Sequence, residues 1–379
     1  MKLLHLSDLH IGKTVNKFSM LEDQEYILAQ ILQLIDREAP DAVIIAGDVY
    51  DKTVPSAEAV QVLDDFLFHL SQRRAPVLIV SGNHDSPERI AFGARQLGAV
   101  GLHLSPVYRG QAAQVTLQDD DGPVHFYLLP FVKPAHVRAA FPEEEIRSYT
   151  DAIRTAIAHM EADPAARNVL ITHQFVTGAA AAGSEELTVG GTDAVDASVF
   201  EAFDYVALGH IHAAQRCGSD RIRYCGAPLS YAFSEAGSEK SVTIAELGRK
   251  GELQVRTVPL KPRRAMVCLR GSFDTLMMRS FYENTTLQED YVQITLTDEG
   301  FLPNAIGHLR TVYHNLMELT YDNTRTRADS RVDSAGEIRQ RSELELFEEL
   351  FELQNGRPMS EEQQAYVTAL LQTIKEGNA

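Results

Sequence analysis

The sequence predicts an α/β fold in which two packed sheets flanked by helices carry a small α+β unit and a C-terminal helical tail. Three observations lead there. The first 80 residues alternate short apolar runs with helical spacing. Six further strand-like runs follow between Val124 and Pro259 with few helices among them. A change of pattern near Lys261-Pro262-Arg263-Arg264 then opens a second strand–helix alternation.

Taken in order, Lys2–Ser7 reads as a buried strand. Leu21–Glu38 reads as a helix with Ile27, Ile31, Leu34 and Ile35 on one face. Ala42–Ala46 is a second strand, Ala57–Leu70 a helix with Val60, Leu63, Leu67 and Leu70 inward, and Val77–Val80 a third strand. Strands joined through helices imply a parallel sheet with right-handed crossovers. Further strands are expected at Val124–Leu129, Val169–Thr172, Tyr205–Leu208, Ile222–Cys225, Ser241–Glu246 and Leu253–Pro259, and the Gly/Ala-rich stretch Thr177–Gly191 reads as a mobile loop.

Residues 1–260 thus form the main domain and 261–323 a β-α-β-α-β unit with strands near Met266–Arg270, Tyr291–Leu296 and Asn315–Thr320. The polar stretch 324–336 reads as a linker. In 337–379, Ser360 with Gln363 makes a capping-box signature ahead of a stripe of Tyr366, Val367, Leu370, Leu371 and Ile374; Leu346, Phe347, Leu350 and Phe351 repeat the pattern upstream.

Composition narrows the class. The hydrophobic fraction of 44% and charged fraction of 23% suit a globular protein with a sizeable core. A net charge of -18 argues against a uniformly basic nucleic-acid surface, although bound metal and a local basic patch can reverse the field locally. The three cysteines, Cys217, Cys225 and Cys268, form no CxxC pair and read as small core residues in a reducing, cytoplasmic setting. Asp8 and His10 interrupt the apolar N-terminus, so a strand is expected there and not a signal peptide. No apolar run is long enough to span a membrane.

Five segments carry the chemistry. Asp8-Leu9-His10 follows the first strand, where an extended backbone would set a carboxylate and an imidazole on one side. Gly47-Asp48-Val49-Tyr50-Asp51 follows the second, with Asp48 at the carboxyl end, where open α/β sheets place ligands. Gly82-Asn83-His84-Asp85 follows the third and offers a neutral amide oxygen beside an imidazole that could contact substrate. His173 ends the run Val169–Thr172, and Gly209-His210-Ile211-His212 supplies two imidazoles after Tyr205–Leu208. Each alone is as readily a turn or a structural histidine. Five of them after strands, at one edge of a sheet system, point to a metal centre. Carboxylates, an amide oxygen and imidazoles without thiolates suit Mn²⁺, Fe²⁺ or Zn²⁺, with Asp48 as the bridge between two ions. Such a pair lowers the pKa of a water and neutralises phosphate oxygens during in-line attack, which makes a phosphodiesterase the expected activity.

The order DxH, GDxxD, GNHD, a lone His and GHxH resembles the calcineurin-type metallophosphoesterases. The resemblance implies one ion held by Asp8, His10, Asp48 and His212, and another by Asp48, Asn83, His173 and His210. It also implies that His84 stabilises the transition state or acts as general acid, oriented by Asp51. Within that superfamily the stretches MKLLHLSDLHIGK, GDVYDKTVPS, SGNHDSPERI, YCGAPLSYAFSE and LFELQNGRPMSEEQ are similar to the SbcD-type nuclease subunits, bacterial counterparts of the Mre/Rad DNA-repair nucleases. Eukaryotic and archaeal relatives carry a His in the GDxxD segment where this chain has Asp51, which leaves His84 as the clear non-ligand imidazole.

That likeness implies a Mn²⁺-dependent nuclease acting on DNA ends and hairpins, as a 3′-to-5′ double-strand exonuclease and an endonuclease. It also implies a homodimer, an ATPase partner of the SbcC type with long coiled coils, and a DNA-capping role for 261–323. The chain has no P-loop, so ATP hydrolysis would belong to that partner. From Glu337 onward nine acidic and four basic residues make a tail of the wrong sign for DNA, and its amphipathic stretches suggest docking on partner helices. A small-molecule or protein phosphoesterase using the same site is the competing enzyme, and a non-catalytic scaffold the competing class.

Overall fold

The computed structural model describes residues 1–180, 194–300 and 302–324, and beyond them 344, 347, 348, 351, 358–360, 363, 364, 366–368 and 370. Most of the loop expected at Thr177–Gly191, the linker from residue 325, and Leu346, Leu350, Leu371 and Ile374 of the two tail stripes lie outside the described residues.

From the N-terminus, β1 (Lys2–Leu6) passes through the hairpin β2 (Thr14–Val15) and β3 (Phe18–Ser19) into α1 (Leu21–Glu38). Then come β4 (Ala42–Ala46), α2 (Ala57–Ser71), β5 (Val77–Val80), the short helices α3 (Pro87–Ile90) and α4 (Ala94–Gly98), and β6 (Leu102–Leu104). A hairpin of β7 (Ala113–Asp119) and β8 (Gly122–Leu129) precedes α5 (Pro134–Ala140), α6 (Tyr149–Ala158) and β9 (Arg167–His173). The chain continues through β10 (Tyr205–Gly209), β11 (Gln215–Cys217) and β12 (Ser219–Tyr224) to β13 (Ser241–Leu247) and β14 (Leu253–Pro259).

These strands form two six-stranded sheets, ordered β14-β13-β1-β4-β5-β6 and β11-β12-β10-β9-β8-β7. The centre of each is parallel: β1 pairs with β4, β4 with β5, and β9 with both β8 and β10. Parallel strands need cover on both faces, which is why they read as unbroken apolar runs. One face of each sheet meets the other in a shared layer that includes Leu3, Ile44, Leu78, Phe126, Val169, Ile171 and Tyr205. The outer face of the first sheet packs on Ile27, Ile31 and Ile35 of α1 and Leu63 and Phe66 of α2. That of the second packs on Val137 of α5 and Ile153 of α6. The expected two-sheet sandwich is the observed one.

Several details differ from expectation. The buried stripe of α2 is Ala59, Val62, Leu63, Phe66 and Leu70, while Val60 is 45% exposed and Leu67 only partly buried. The true stripe follows the i, i+3, i+4 spacing from Ala59, so Val60 and Leu67 flank it. Of the cysteines, Cys217 and Cys225 are buried but Cys268 is exposed. The helix α6, started by a Ser148–Asp151 capping box, and the edge strand β7 were not foreseen, because short polar-rich segments carry little periodic signal.

Beyond β14 come β15 (Met266–Gly271), α7 (Phe273–Met277), α8 (Arg279–Tyr282), β16 (Tyr291–Leu296), α9 (Ala305–Leu309) and β17 (Asn315–Tyr321), with the strands in sequence order in one sheet. By contacts the chain divides into two units. One comprises Met1–Leu269, Asp274–Ile294 and Asn304–Leu319; the other comprises Arg270–Phe273, Thr295–Pro303 and the described residues from Thr320. Met266, Tyr291 and Met317 belong to the first unit and join its outer core. The second unit is held locally by an Arg270–Asp322 ion pair and by Thr295 Oγ1 against Thr320 Oγ1 at 2.9 Å. In the tail, Ser360 and Gln363 form the expected reciprocal cap, at 3.0 and 3.3 Å.

Candidate metal centre

The parallel strands β1, β4, β5, β9 and β10 all end at one edge of the sandwich, and each delivers one of the five segments there. Asp8, His10, Asp48, His173, His210 and His212 are all buried, and Asn83 and His84 are half-buried. Three overlapping groups place their ligand atoms within 4.8 Å of one another: Asp8 with His10 and His212, His10 with Asp48 and His84, and Asp8 with Asp48 and His173. The two remaining candidates join through Asn83, whose Oδ1 lies 3.0 Å from both His173 Nε2 and His210 Nδ1. The five segments therefore meet in one place.

The backbone there is not the extended chain expected of Asp8-Leu9-His10. Asp8 and His10 have φ of 54° and 44°, Asp48 47° and His210 103°. Left-handed non-glycine residues cost on the order of 1–3 kcal/mol each and persist only when neighbours over-determine them. Here the neighbours are hydrogen bonds between the loops. Asp8 N–H donates to the Gly47 carbonyl (3.0 Å), His10 N–H to Asp48 (2.9 Å), and Ile11 N–H to Val49 (2.9 Å). The His210 N–H donates to Asp8 Oδ1 at 3.0 Å. The approach is so close that glycine is required at two corners. A Cβ on Gly82 would lie 2.0 Å from Asp48 Oδ1, and one on Gly209 would lie 2.0 Å from the Ala46 carbonyl.

Three braces outside the ligand set hold these loops, and sequence reading missed all of them. The buried Asp85 carboxylate accepts from the N–H groups of Val49 (3.1 Å), Tyr50 (2.8 Å) and Gly82 (2.9 Å), tying the second loop to the third. Gln24, buried on α1, donates to the His10 carbonyl (2.7 Å) and accepts from Gly12 N–H (2.9 Å). Glu235 lies 3.4 Å from His212 Nδ1. Asp85 was visible only as the last letter of a motif. Gln24 and Glu235 lie 14 and 23 positions from the residues they hold, and no local pattern marks them.

Asp51 meets His84 through its backbone. His84 Nδ1 lies 3.0 Å from the Asp51 backbone carbonyl, so the main chain orients the ring. The Asp51 carboxylate instead takes the Lys13 ammonium at 2.7 Å and faces His10 Nδ1 at 3.6 Å. Spacing identifies residues, not which of their atoms turn inward, so the orienting atom is legible only in the structure.

Electrostatics follow from burial and crowding. Burial raises the Asp8 carboxyl pKa, against the pull of His173 and His212. It acts likewise on Asp48, but His173, His10 and His84 outweigh it and hold Asp48 well below the usual carboxylate range. Burial lowers His173, yet the Asp48 charge more than offsets it and raises the imidazole to about 9. His10 is driven well below its ordinary value by burial, despite Asp48. Asp85 is pushed up to about 6 by burial and by Asp48, against its three N–H donors.

The donor set fits a pair of divalent cations. His173 Nδ1 bonds the Ala46 carbonyl at 2.8 Å, and its Nε2 faces Asp48 Oδ2 (3.3 Å) and Asn83 Oδ1 (3.0 Å), both acceptors, so the position between them takes a proton on Nε2 or a cation in its place. His10 Nε2 faces His212 Nε2 at 3.0 Å and Asp48 Oδ2 at 3.6 Å. Carboxylate, amide oxygen and imidazole converging on one place favour positive charge there, and they are the donors that Mn²⁺, Fe²⁺ and Zn²⁺ accept.

Residues 262–355 match the family described as type 5 capsule protein repressor C-terminal domain. The chain is 29% identical over 381 residues to the SbcD subunit of nuclease SbcCD from Staphylococcus epidermidis, covering 99% of each. Solved structures resembling it include TT1561 of Thermus thermophilus (TM-score 0.40, 14% identity, 68% of this chain and 98% of that one). A dimetal phosphatase from Danio rerio is another (TM-score 0.42, 12% identity, 68% and 95%). Residues 1–214, which contain all five segments, match the calcineurin-like phosphoesterase family, and the chain belongs to it.

Proposed function

We propose that this chain is the nuclease subunit of a two-component, ATP-regulated DNA end-processing complex, cleaving DNA phosphodiester bonds with two Mn²⁺ ions. The observation that carries the reading is the end-to-end similarity to a nuclease subunit, 99% of each chain, which takes in the C-terminal region as well as the catalytic core. In this reading one ion is held by Asp8, His10, Asp48 and His212, and the other by Asp48, Asn83, His173 and His210. Residues 1–260 are the nuclease domain, 261–323 the DNA-capping domain, 324–336 a linker and 337–379 a helical region that docks on an SbcC-type coiled-coil ATPase. The activities are 3′-to-5′ double-strand exonuclease and hairpin or single-strand endonuclease, in the cytoplasm, for repair and recombination. A homodimer completes the unit, and Tyr26 on α1 and Val60 and Phe68 on α2 are exposed apolar side chains available to it. No helix among the described residues is long and apolar enough to cross a membrane.

The divalent pair, when bound, supplies a low-pKa water and charge neutralisation at phosphorus. The chain's own residues do the rest. Asp48 keeps its carboxylate ionised between histidines of both halves of the site. Its Oδ1 also accepts the His84 N–H at 3.0 Å, which ties the position of His84 to that of the centre. His84, anchored at Nδ1, is the group that donates a proton to, or hydrogen-bonds, the departing oxygen. A polyanion approaching a chain of net charge -18 needs local cations. Lys13 is engaged by Asp51, whereas Lys52 and Arg89 are exposed beside the site loops.

The test is a nuclease assay of the purified chain on linear duplex and hairpin DNA, metal by metal, with and without the ATPase partner and ATP. Mn²⁺-dependent loss of linear duplex with closed circles spared is the expected result. Hydrolysis of small phosphoesters with no action on DNA under any of these conditions would refute the proposal.

A further inference from the structure

Glu235 and Lys240 form an ion pair at 2.5 Å inside the first unit, with residue exposures of only 2% and 7%. Taking two charges out of water is expensive, and apolar side chains of similar volume are often as stable or more so. A pair kept in such a place calls for a role other than stability. Both members point at one residue. Glu235 Oε1 lies 3.4 Å from His212 Nδ1, and Lys240 Nζ lies 3.3 Å from the His212 carbonyl oxygen. On the far side of the ring, Nε2 faces His10 Nε2 at 3.0 Å.

A carboxylate only accepts, so the imidazole nitrogen beside it carries the hydrogen and the other presents its lone pair to the centre. Lys240 holds the carboxylate in place and fixes the main chain of the same histidine. Tyr231, four residues before Glu235, braces a different part of the centre, donating to the Leu9 carbonyl at 2.5 Å.

We infer that Glu235, braced by Lys240, is a positioning residue that sets the tautomer and ring orientation of His212. It thereby sets the affinity of the ion assigned to Asp8, His10, Asp48 and His212. This rests on the two-ion reading above. Loss of an outer partner of a ligating histidine typically weakens metal binding about 10–100-fold.

The experiment titrates Mn²⁺ alone into the full chain, by calorimetry and by the EPR signal of free Mn²⁺, for wild type and two double variants. In E235L/K240M the pair becomes apolar at similar volume. We expect a melting temperature no lower than wild type, one of two ions weakened about 10–100-fold, and the other unchanged. In E235Q/K240M an acceptor oxygen remains for Nδ1–H without the charges, and most of the lost affinity returns. Wild-type binding of both ions by E235L/K240M overturns the inference, as does equal weakening in the two variants. A readout that no variant's folding can cloud is the ¹⁵N spectrum of the metal-free wild-type histidines. His212 protonated at Nδ1 is expected, and protonation at Nε2 alone contradicts the assignment. If wild type itself binds no Mn²⁺, the two-ion reading fails, and not merely the role of Glu235.

Discussion

Asp48→Ala is expected to lower Mn²⁺-dependent phosphodiester hydrolysis by about 10³–10⁴-fold, since a metal centre is worth several kcal/mol to a transition state and each 1.36 kcal/mol is a decade in rate. The size of the effect follows from position. Asp48 lies in the loop after β4 and is 2% exposed; its Oδ2 faces His173 at 3.3 Å and His10 at 3.6 Å. In the proposed assignment those histidines belong to different ligand sets, so one substitution would remove a partner from both. Its other oxygen accepts the His84 N–H, and truncation therefore releases the acid–base candidate as well. The measurement is kcat/KM on a generic phosphodiester and on linear duplex at saturating Mn²⁺. Activity within tenfold of wild type would mean that Asp48 bridges nothing.

The second large effect has a different signature. His84→Ala should cost about 10²–10⁴-fold in kcat, the usual range for a positioned general acid or base, while both Mn²⁺ ions bind as in wild type. His84 is half-buried; its ring bonds the Asp51 carbonyl and meets the edge of His10. Although its ligand atom lies within 4.8 Å of those of His10 and Asp48, the proposed ligand sets are complete without it. Unchanged kcat would remove it from the chemistry, and loss of an ion would reassign it as a ligand. Asp48 and His84 are thus separable by metal binding even though both variants are expected to lose activity.

Much of this was legible in the sequence, for a physical reason. Strands buried on both faces are apolar throughout, so β4 and β5 stand out at the bounds observed, and a ligand placed just after such a run is placed at a sheet edge. The meeting of Asp8, Asp48, Asn83, His173 and His210 follows from that topology alone. What was not legible is how the loops are held. Left-handed turns at Asp8 and His10 depend on bonds to Gly47 and Asp48 some forty residues away. Asp85, Gln24 and Glu235 act through space, and their residue types are common everywhere. The Asp51 contact shows the same limit at the scale of atoms: the residue was the right neighbour of His84, but its carbonyl turned inward and its carboxylate went to Lys13. Val60 shows it at the scale of a helix, where a stripe misread by one position exposes the wrong valine.

The central claim is that five strand ends build one two-ion site around Asp48. Anomalous diffraction at the manganese edge from crystals of the full chain grown with Mn²⁺ addresses it most directly. Two peaks about 3.5–4 Å apart on either side of the Asp48 carboxylate are the expected result. Manganese-dependent DNA cleavage by a protein whose crystals show no peak among these five loops would contradict it.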